Sequence, residues 1–225
     1  DWLVRNPPCT EQNMPVPIAT QPRKQPRQAR SKRMVRAILE ATAKVLVKEG
    51  WSGASTNRVA DVAGVSVGSL YQYFPNKESL VLTLARERNE EQVRFLSEKL
   101  DEVGTQPIEH AIAQYVAANL EAHRSNPELH VHLTASVLAH GLASINELHG
   151  LSRPLVRKYL ERYSDQLAVQ DLDTAAFLLV TSIEAAIHGA ILQDPKRLDD
   201  RNFERELVAM ACRYLGVTPP ELAPV

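Results

Sequence analysis

The segment from residue 55 to residue 77, STNRVADVAGVSVGSLYQYFPNK, contains two short helical patterns separated by a glycine. Gly64 can adopt the left-handed conformation that ends a helix, so the chain can turn there. Ser66 is a suitable N-cap for the second pattern, and Pro75 disfavours a helical conformation at the residue before it. The spacing therefore predicts two short helices joined by a tight turn, the second over residues 67–74. This arrangement is typical of a DNA-reading helix-turn-helix.

The second of these helices would turn only a narrow apolar face inward. Leu70 and Phe74 lie four residues apart and define that face. The other side chains are expected to face outward or sideways: Val67, Gly68, Ser69, Tyr71, Gln72 and Tyr73. A tip of small residues lets a helix N-terminus approach base edges in the major groove, and exposed tyrosines need an external partner. An ordinary helix hairpin within a bundle has the same spacing and is the alternative.

The distribution of charge favours the DNA-reading interpretation. Residues 1–94 carry fifteen Lys and Arg against nine Asp and Glu, a net charge of +6, whereas residues 95–225 have a net charge of −7. The near-neutral total of −1 therefore conceals a basic N-terminal part suited to a polyanion and an acidic C-terminal part that is not. Only the N-terminal part is expected to contact DNA.

The region from about residue 30 to residue 84 resembles the DNA-binding domain of the TetR family of bacterial transcriptional regulators. Three ordered segments carry the resemblance: ILEATAKVLVKEGW, ASTNRVADVAGVS and GSLYQYFPNKESLV. The remainder of the chain resembles the family only in length, helicity and the segment IEAAIHGAIL. The resemblance implies an all-α fold, with an N-terminal three-helix helix-turn-helix domain and a C-terminal helical domain for ligand binding and dimerisation.

The resemblance also implies roles by motif position. Bases would be met by Asn57, Val67, Gly68 and Ser69, and phosphates or thymine methyl groups by Thr56, Tyr71, Tyr73 and Lys77. Because Val67 and Gly68 stand where family members often carry a charged or amide side chain, few hydrogen bonds to bases are expected. Backbone contacts, methyl contacts and DNA shape would then contribute more to the specificity.

Upstream of the turn, one buried stripe predicts the first helix: Val35, Ile38, Leu39, Thr42, Val45 and Leu46. Trp51 is expected to pack over the three-helix core, and Thr56 to cap the next helix. Positive charges crowd the start of the first helix, where the helix dipole disfavours them: Arg30, Lys32 and Arg33. A DNA phosphate would stabilise these residues.

Three regions follow along the chain. Residues 1–29 are rich in proline, lead into the basic run RKQPRQARSKR at residues 23–33 and are predicted to be a flexible arm. Residues 30–76 form the helix-turn-helix domain. Residues 77–225 form the C-terminal domain, which begins with a long helix capped by Asn76 and continues with helices over about 108–124, 127–140, 174–193 and 203–214. The sequence leaves open whether residues 1–13 are native.

The last two long helices are more apolar than the core of one chain requires, which predicts a dimer interface. Small residues would let helices of two copies approach closely, as in the four-helix bundles of the family: Ala185, Ala186, Gly189 and Ala190, with Met210 on the following helix. A monomer with these helices in an internal core is the alternative. A dimer would also place two helix-turn-helix domains on a palindromic operator, so that modest contacts in each half-site add up to sequence-specific binding.

A candidate effector pocket combines apolar and polar residues of the C-terminal helices: Tyr115, Asn119, His123, Leu138 and His188. It would suit a neutral or weakly polar organic molecule, although the same residues could simply pack the core. Two Glu-His pairs at helical spacing, Glu128 with His132 and Glu184 with His188, raise the question of a metal. Neither pair supplies a third ligand, so no metal and no other cofactor is expected.

Other function classes find little support in the sequence. The chain contains no nucleophile motif, P-loop or dinucleotide fingerprint, so an enzyme is not expected. Cys9 and Cys212 lie in unrelated contexts, which argues against a disulfide and for a reducing cytoplasm. No apolar run is expected to cross a membrane, and no signal peptide is evident.

The predicted function is a homodimeric repressor that binds double-stranded DNA and is released by a small organic effector. A nonspecific architectural DNA-binding protein is the first alternative, and an enzyme with an appended DNA-binding domain is the second.

Overall fold

The structure, a computed structural model, describes residues 20–24, 26–142 and 151–220, and the side chain of Leu138 also lies outside the described part. The described residues contain no strand, so the predicted all-α fold is confirmed. Within the described ranges, two 3-10 turns, Ser164–Gln166 and Pro195–Asp199, accompany nine α-helices. The helices are α1 (Ala29–Gly53), α2 (Thr56–Ala63), α3 (Val67–Tyr71), α4 (Lys77–Val103), α5 (Ile108–Arg124), α6 (Pro127–Ala139), α7 (Ser152–Arg162), α8 (Leu172–Gln193) and α9 (Arg201–Leu215).

Helix α1 has the predicted apolar stripe. All six residues of the stripe are buried, and Thr42 satisfies its hydroxyl by donating to the Ile38 carbonyl at 2.8 Å. Gly50 interrupts the helix with φ 65° and ψ −174°, a conformation that favours glycine. The chain therefore bends before Trp51.

The turn between α2 and α3 has its expected glycine, with Gly64 at φ 67°. Ser66 caps α3, its Oγ accepting the Ser69 N–H at 3.1 Å. The cap of α2 differs from the prediction: Ser55, and not Thr56, accepts the Arg58 N–H, at 3.2 Å. The helix starts one residue earlier because Ser55 has the extended backbone of an N-cap.

Helix α3 is three residues shorter than predicted. It ends at Tyr71, and the Leu70 carbonyl then accepts the N–H groups of both Tyr73 and Phe74, at 3.0 and 2.9 Å. The chain tightens there because the Tyr73 and Phe74 side chains both enter the core.

Helix α4 joins two hydrophobic cores. Asn76 caps it as predicted, its Oδ1 accepting the Ser79 N–H at 2.8 Å. Leu80 and Leu84 pack with α1, α2 and α3 in the first core, whereas Leu96 and Leu100 pack with α5, α7, α8 and α9 in the second.

Helix α6 also reaches the first core, although it lies in the C-terminal half of the chain. Leu129, Leu133 and Val137 are buried together with residues of α1, α3 and α4. The core around α1, α2 and α3 therefore extends beyond residues 30–76. Helices α4 and α6 both connect that region physically to the rest of the chain.

Helix α8 is long and apolar enough to cross a membrane, by length and composition alone. This differs from the expectation that no segment is long and apolar enough. Half of its apolar stretch is buried inside the chain, so much of the apolar surface is used in packing α8 against α5, α7 and α9.

Candidate DNA-binding surface and core polar cluster

The tip of α3 is open on its outer side. Val67 and Gly68 are exposed, and a Cβ added at Gly68 would meet no atom within 4 Å. Asn57, near the start of α2, is exposed as well. These positions form a surface that nothing in the described part of the chain covers, and a base edge can approach their backbone closely.

Several hydroxyl groups predicted to meet DNA also hold the two short helices together. The Oγ1 of Thr56 lies 3.0 Å from the Tyr71 Oη, which connects the start of α2 to the end of α3. The Ser69 Oγ lies 2.8 Å from the Ser66 Oγ. Each hydroxyl retains further donor or acceptor capacity, so these bonds fix its position without preventing a contact to phosphate.

Tyr73 is not on the outer surface. Its side chain is only 5% exposed and packs in the first core, beside Leu70 and Phe74. The expectation of an exposed Tyr73 is therefore wrong, because α3 ends at Tyr71 and the next residues turn inward. The prediction that Tyr73 is exposed assumed that α3 continues to residue 74.

Arg23 contacts the end of α3. Its backbone N–H donates to the Tyr73 carbonyl at 2.7 Å, and its guanidinium donates to the Tyr71 carbonyl at 3.3 Å. Part of the arm therefore lies against α3, which the sequence did not indicate. The basic run marks this segment as a DNA candidate, but it contains no local signal for a contact almost fifty residues away.

Lys77 and Trp51 are in direct contact. The Lys77 Nζ donates to the Trp51 carbonyl at 3.2 Å and lies 4.4 Å from the centroid of the Trp51 ring. On its other side the ring stacks on His140, with centroids 3.9 Å apart. Trp51 is half-buried over the first core, as expected, and it also holds the Lys77 ammonium near the start of α4.

The start of α1 remains strongly basic at its surface. Arg30, Lys32 and Arg33 are all exposed, and the first turn of the helix contains no acidic residue. The helix dipole therefore adds to three positive charges there, which favours a polyanionic partner.

A second group of functional side chains lies inside the C-terminal half. The donor atoms of His123, His130, Glu184 and His188 all lie within 4.8 Å of one another. These residues come from α5, α6 and α8. The expectation that no set of three ligands forms is therefore wrong, because spacing within one helix says nothing about residues on its neighbours. Glu128 and His132 are not part of the cluster.

Hydrogen bonds around the cluster hold its members in place. The His123 Nδ1 lies 2.8 Å from the Asn119 carbonyl, and its Nε2 lies 3.3 Å from Glu184 Oε2. Gln92 donates through Nε2 to Glu184 Oε1 at 3.1 Å and to Asn119 Oδ1 at 3.2 Å. The Nε2 of His188 is 3.8 Å from Glu184 Oε2.

The ionisation of His123 reflects these neighbours. Burial is the largest single influence and lowers its pKa. The Glu184 carboxylate and the Asn119 carbonyl together outweigh burial, so the pKa of His123 lies above its usual value. The Glu184 carboxylate is thus the main source of negative potential in this part of the core.

Two openings reach the cluster. A cavity of about 50 Å³ is lined by residues that include Gln92, His130, Glu184 and His188. A wider cleft of about 460 Å³ runs between α4, α5 and α6, and Arg88, Gln92 and His130 form part of its wall. A small ion or a polar ligand group can therefore reach the cluster from the surface.

The family assignment rests on sequence profiles that match both halves of the chain. The profile described as bacterial regulatory proteins, tetR family, matches residues 38–84, and the tetracyclin repressor-like C-terminal domain matches residues 107–215. The chain belongs to the TetR family. It is accordingly a DNA-binding transcriptional regulator.

Individual relatives of this TetR-family chain are distant. The fatty acid metabolism regulator protein of Bacillus subtilis is 24% identical over 146 residues, covering 55% of this chain and 75% of that protein. The regulator RutR of Escherichia coli is 28% identical over 121 residues, covering 54% of this chain and 56% of RutR. The fatty acid degradation regulator FadR of Bacillus halodurans superposes with a TM-score of 0.65 at 18% identity, covering 85% and 96% of the two chains.

The TetR-family chain has exposed apolar side chains on its last two helices. Leu178, Ala185 and Leu192 recur every seven residues along α8 and are exposed, and Met210 and Tyr214 are exposed on α9. Ala186 and Gly189 are half-buried beside them.

Ala190 does not belong to this exposed face. It is 5% exposed and packs in the second core of its own chain. The expectation that Ala190 faces a partner is wrong, since the position points toward neighbouring helices of the same chain.

The predicted effector residues divide between two environments. Tyr115 lines an apolar cavity of about 40 Å³, and its buried hydroxyl has no hydrogen-bond partner among the described residues. Asn119 and His123 are fully buried, and His188 belongs to the polar cluster. The side chain of Leu138 lies outside the described residues. The Tyr115 pKa is raised well above its usual value, first by burial and then by the charge of Glu184.

Proposed function

We propose that this TetR-family regulator is a homodimeric repressor that binds a palindromic operator and leaves it when a small molecule binds in its C-terminal domain. The observation that carries the proposal is the open tip of α3, where Val67 and Gly68 are exposed above a fully packed three-helix core. A rigid short helix with an uncovered N-terminal tip is suited to the major groove.

The proposed DNA contacts differ in kind. Asn57, Val67, Gly68 and Ser69 would meet bases, and Thr56, Tyr71 and Lys77 would hold phosphates. Arg30, Lys32 and Arg33 would add charge contacts at the start of α1. Tyr73 would act only through the core, by supporting Leu70 and the inner face of α3.

Dimerisation is proposed through α8 and α9. The exposed apolar side chains of Leu178, Ala185, Met210 and Tyr214 support this, because a patch of this kind stabilises association when a second copy covers it. Gly189 has open space around its Cα, which would let a partner helix approach closely. The two helix-turn-helix domains of the dimer would then bind one palindromic operator together.

The effector is proposed to enter the cleft between α4, α5 and α6. The contacts of α6 support a route to the DNA-binding region: Leu129 and Leu133 lie in the first core and also line the cleft. A ligand that displaces α6 would therefore disturb the packing beneath α1 and α4, and it would shift the population away from the DNA-competent state.

The identity of the effector is proposed only as a class. It would be a small organic molecule with a polar group directed at the cluster and an apolar part beside residues such as Phe95 and Leu129. Fatty acids and their derivatives are the first compounds to test, since the names of two similar proteins refer to fatty acid metabolism or degradation. As a DNA-binding regulator without a proposed catalytic role, the protein would act in the cytoplasm.

Selection of binding sites from random duplex DNA tests the proposal directly. The purified protein should enrich an inverted repeat with half-sites about one helical turn apart. Enrichment of single half-sites would contradict the dimer. Steeply salt-dependent binding with no enriched sequence would instead favour a nonspecific architectural protein.

A further inference from the structure

Four side chains inside the C-terminal domain combine donor chemistry and proximity in a way that goes beyond a contact with the proposed effector. His123 comes from α5, His130 from α6, and Glu184 and His188 from α8. We propose that these residues form a binding site for one divalent transition metal ion of the Zn²⁺ class. Three imidazoles and one carboxylate are ligands that Zn²⁺ prefers, and four ligands complete its usual coordination.

The distances are close to those that a tetrahedral ion requires. Ligand atoms bound at about 2.0–2.1 Å from a tetrahedral Zn²⁺ are about 3.3–3.4 Å from each other. The His123 Nε2 already lies 3.3 Å from Glu184 Oε2, and the His188 Nε2 lies 3.8 Å from the same oxygen. All four donor atoms fall within 4.8 Å. Small side-chain rotations would therefore complete the site.

Hydrogen bonds to the outer side of the ligands orient them toward a common point. The His123 Nδ1 lies 2.8 Å from the Asn119 carbonyl, so this nitrogen donates and Nε2 is left for the cluster, where binding of a metal ion requires Nε2 to carry no proton. Gln92 donates to Glu184 Oε1 and leaves Oε2 facing His123 and His188. A backbone carbonyl behind a histidine and an amide behind a carboxylate are typical supports of metal ligands.

Burial of the cluster also favours the binding of a cation. The His123 side chain is 0% exposed and that of Glu184 is 5% exposed. Among the described residues the Nε2 of His123 has no hydrogen-bond partner, although Glu184 Oε2 lies 3.3 Å from it. A buried acceptor without a donor is costly, and a metal ion would satisfy this nitrogen and neutralise the carboxylate at once. The cavity of about 50 Å³ beside the cluster provides an entry path.

A bound ion would connect three helices. It would fix α6, through His130, to α5 and α8, while Leu129 and Leu133 keep α6 in the first core. If the proposed function holds, metal occupancy therefore alters operator affinity by setting the position of α6. This consequence depends on the proposed function, but metal binding itself does not.

The test uses the full chain without an affinity tag, treated with a chelator and then dialysed. Titration with Zn²⁺ in a calorimeter and metal analysis after gel filtration should both give one ion per chain. Co²⁺ should produce the intense visible absorption of a tetrahedral site. Absence of stoichiometric retention in the wild-type protein would overturn the proposal.

Variants place the ion at the cluster. Gln92→Ala removes a hydrogen bond that supports a ligand and should weaken Zn²⁺ binding by about 10- to 100-fold. Loss of a ligand should weaken it by more than that, in each of three variants: His130→Gln, His188→Gln and Glu184→Gln. His132→Gln, on the same helix but outside the cluster, is the matched control and should bind as the wild type does. Far-ultraviolet circular dichroism verifies folding, and His130 and His188, which are only half-buried, are the ligand positions where a substitution disturbs the core less than at the buried Glu184.

The outcomes separate the site from the proposed function. Equal Zn²⁺ affinity in the wild type, His130→Gln and His188→Gln would place the ion elsewhere and overturn the proposal. Stoichiometric binding that these substitutions abolish would establish the site. It would do so even if no operator were recovered, in which case only the proposed function would fail.

Discussion

The Lys77 ammonium group lies against the face of Trp51, 4.4 Å from the ring centroid, while donating to the Trp51 carbonyl at 3.2 Å. This contact places a positive charge at the start of α4, next to the reading helix. Because the Trp51 ring is itself stacked on His140, the group that holds the Lys77 ammonium is packed in place. A preorganised lysine is better suited to a phosphate contact than a freely rotating one.

Lys77→Ala should therefore weaken binding to all DNA sequences to a similar extent and reduce the slope of log affinity against log salt by about 1. Asn57→Ala should instead relax preference at one base position, at a cost of about 1–3 kcal/mol for the preferred base. Fluorescence anisotropy on a panel of operator variants at several salt concentrations distinguishes the two. Uniform loss for both variants would contradict the division of roles.

Because Tyr73 is buried in the first core, its side chain is expected to stabilise the folded state. Tyr73→Ala should lower the free energy of unfolding by about 3–5 kcal/mol, as for other aromatic residues deleted from a core. Tyr71→Phe removes only the hydrogen bond to Thr56 and should cost about 0.5–1.5 kcal/mol. Urea unfolding measures both. A Tyr73→Ala protein as stable as the wild type would show that the ring does not support the first core.

The dimer interface can be tested by placing a charge on the exposed apolar face. Met210→Asp and Ala185→Arg should each weaken association by about 3–5 kcal/mol, because the charge would be buried without a partner. Leu151→Asp is a matched control, as Leu151 is exposed and apolar but lies outside α8 and α9. Analytical ultracentrifugation across a concentration series gives the dissociation constants. Unchanged association in both interface variants would place the interface elsewhere.

Glu49 and Arg58 form an ion pair that connects the end of α1 to α2, with 2.8 Å between Arg58 Nη2 and Glu49 Oε1. The hydrogen bond from Arg58 is the main reason why the pKa of Glu49 lies below its usual value. The pair's contribution to stability is therefore complete above the carboxyl's ordinary pKa and is lost as the pH falls through the lowered pKa of the folded state.

Glu49→Gln should accordingly melt at a lower temperature than the wild type at neutral pH, and the difference should shrink in acid. Because both side chains are partly exposed, the neutral-pH difference should be small and should decrease with salt. Thermal melts across the acid range measure it. A difference that stays constant into strong acid would contradict this role.

Cys212 is fully buried, and burial raises its pKa to about 11, with the charge of Glu109 as a smaller influence. In a Cys9→Ser background, the Cys212 thiol should react slowly with a thiol reagent at neutral pH and fully in denaturant. Absorbance of the released chromophore follows both. Rapid labelling of the native protein would indicate that α9 opens readily.

Several local features of the DNA-binding region could be predicted from the sequence. The stripe on α1, the left-handed turn at Gly64 and the caps at Ser66 and Asn76 all follow from residues within a few positions of each other. Periodicity, capping and glycine conformation are properties of short segments, so one sequence contains them. The all-α fold of the described residues followed in the same way.

The errors of prediction occurred where neighbours in space are distant in the chain. Tyr73 turned inward because the first core had room for it beside Phe74, and Arg23 met a carbonyl almost fifty residues away. Ala190 is on the apolar helix that the sequence identified, but on the side facing its own chain. A helical pattern defines a face and does not say which partner covers it.

The sequence by itself determined the presence of two short helices with a turn at Gly64, the caps at Ser66 and Asn76, and the basic and acidic division of the chain, because these depend on adjacent residues and on composition. Only the tertiary structure decided that His123, His130, Glu184 and His188 meet, and that α6 packs in the core beneath the reading helices. The four ligand candidates come from three helices. Their proximity is a consequence of how those helices pack, and no local pattern specifies it.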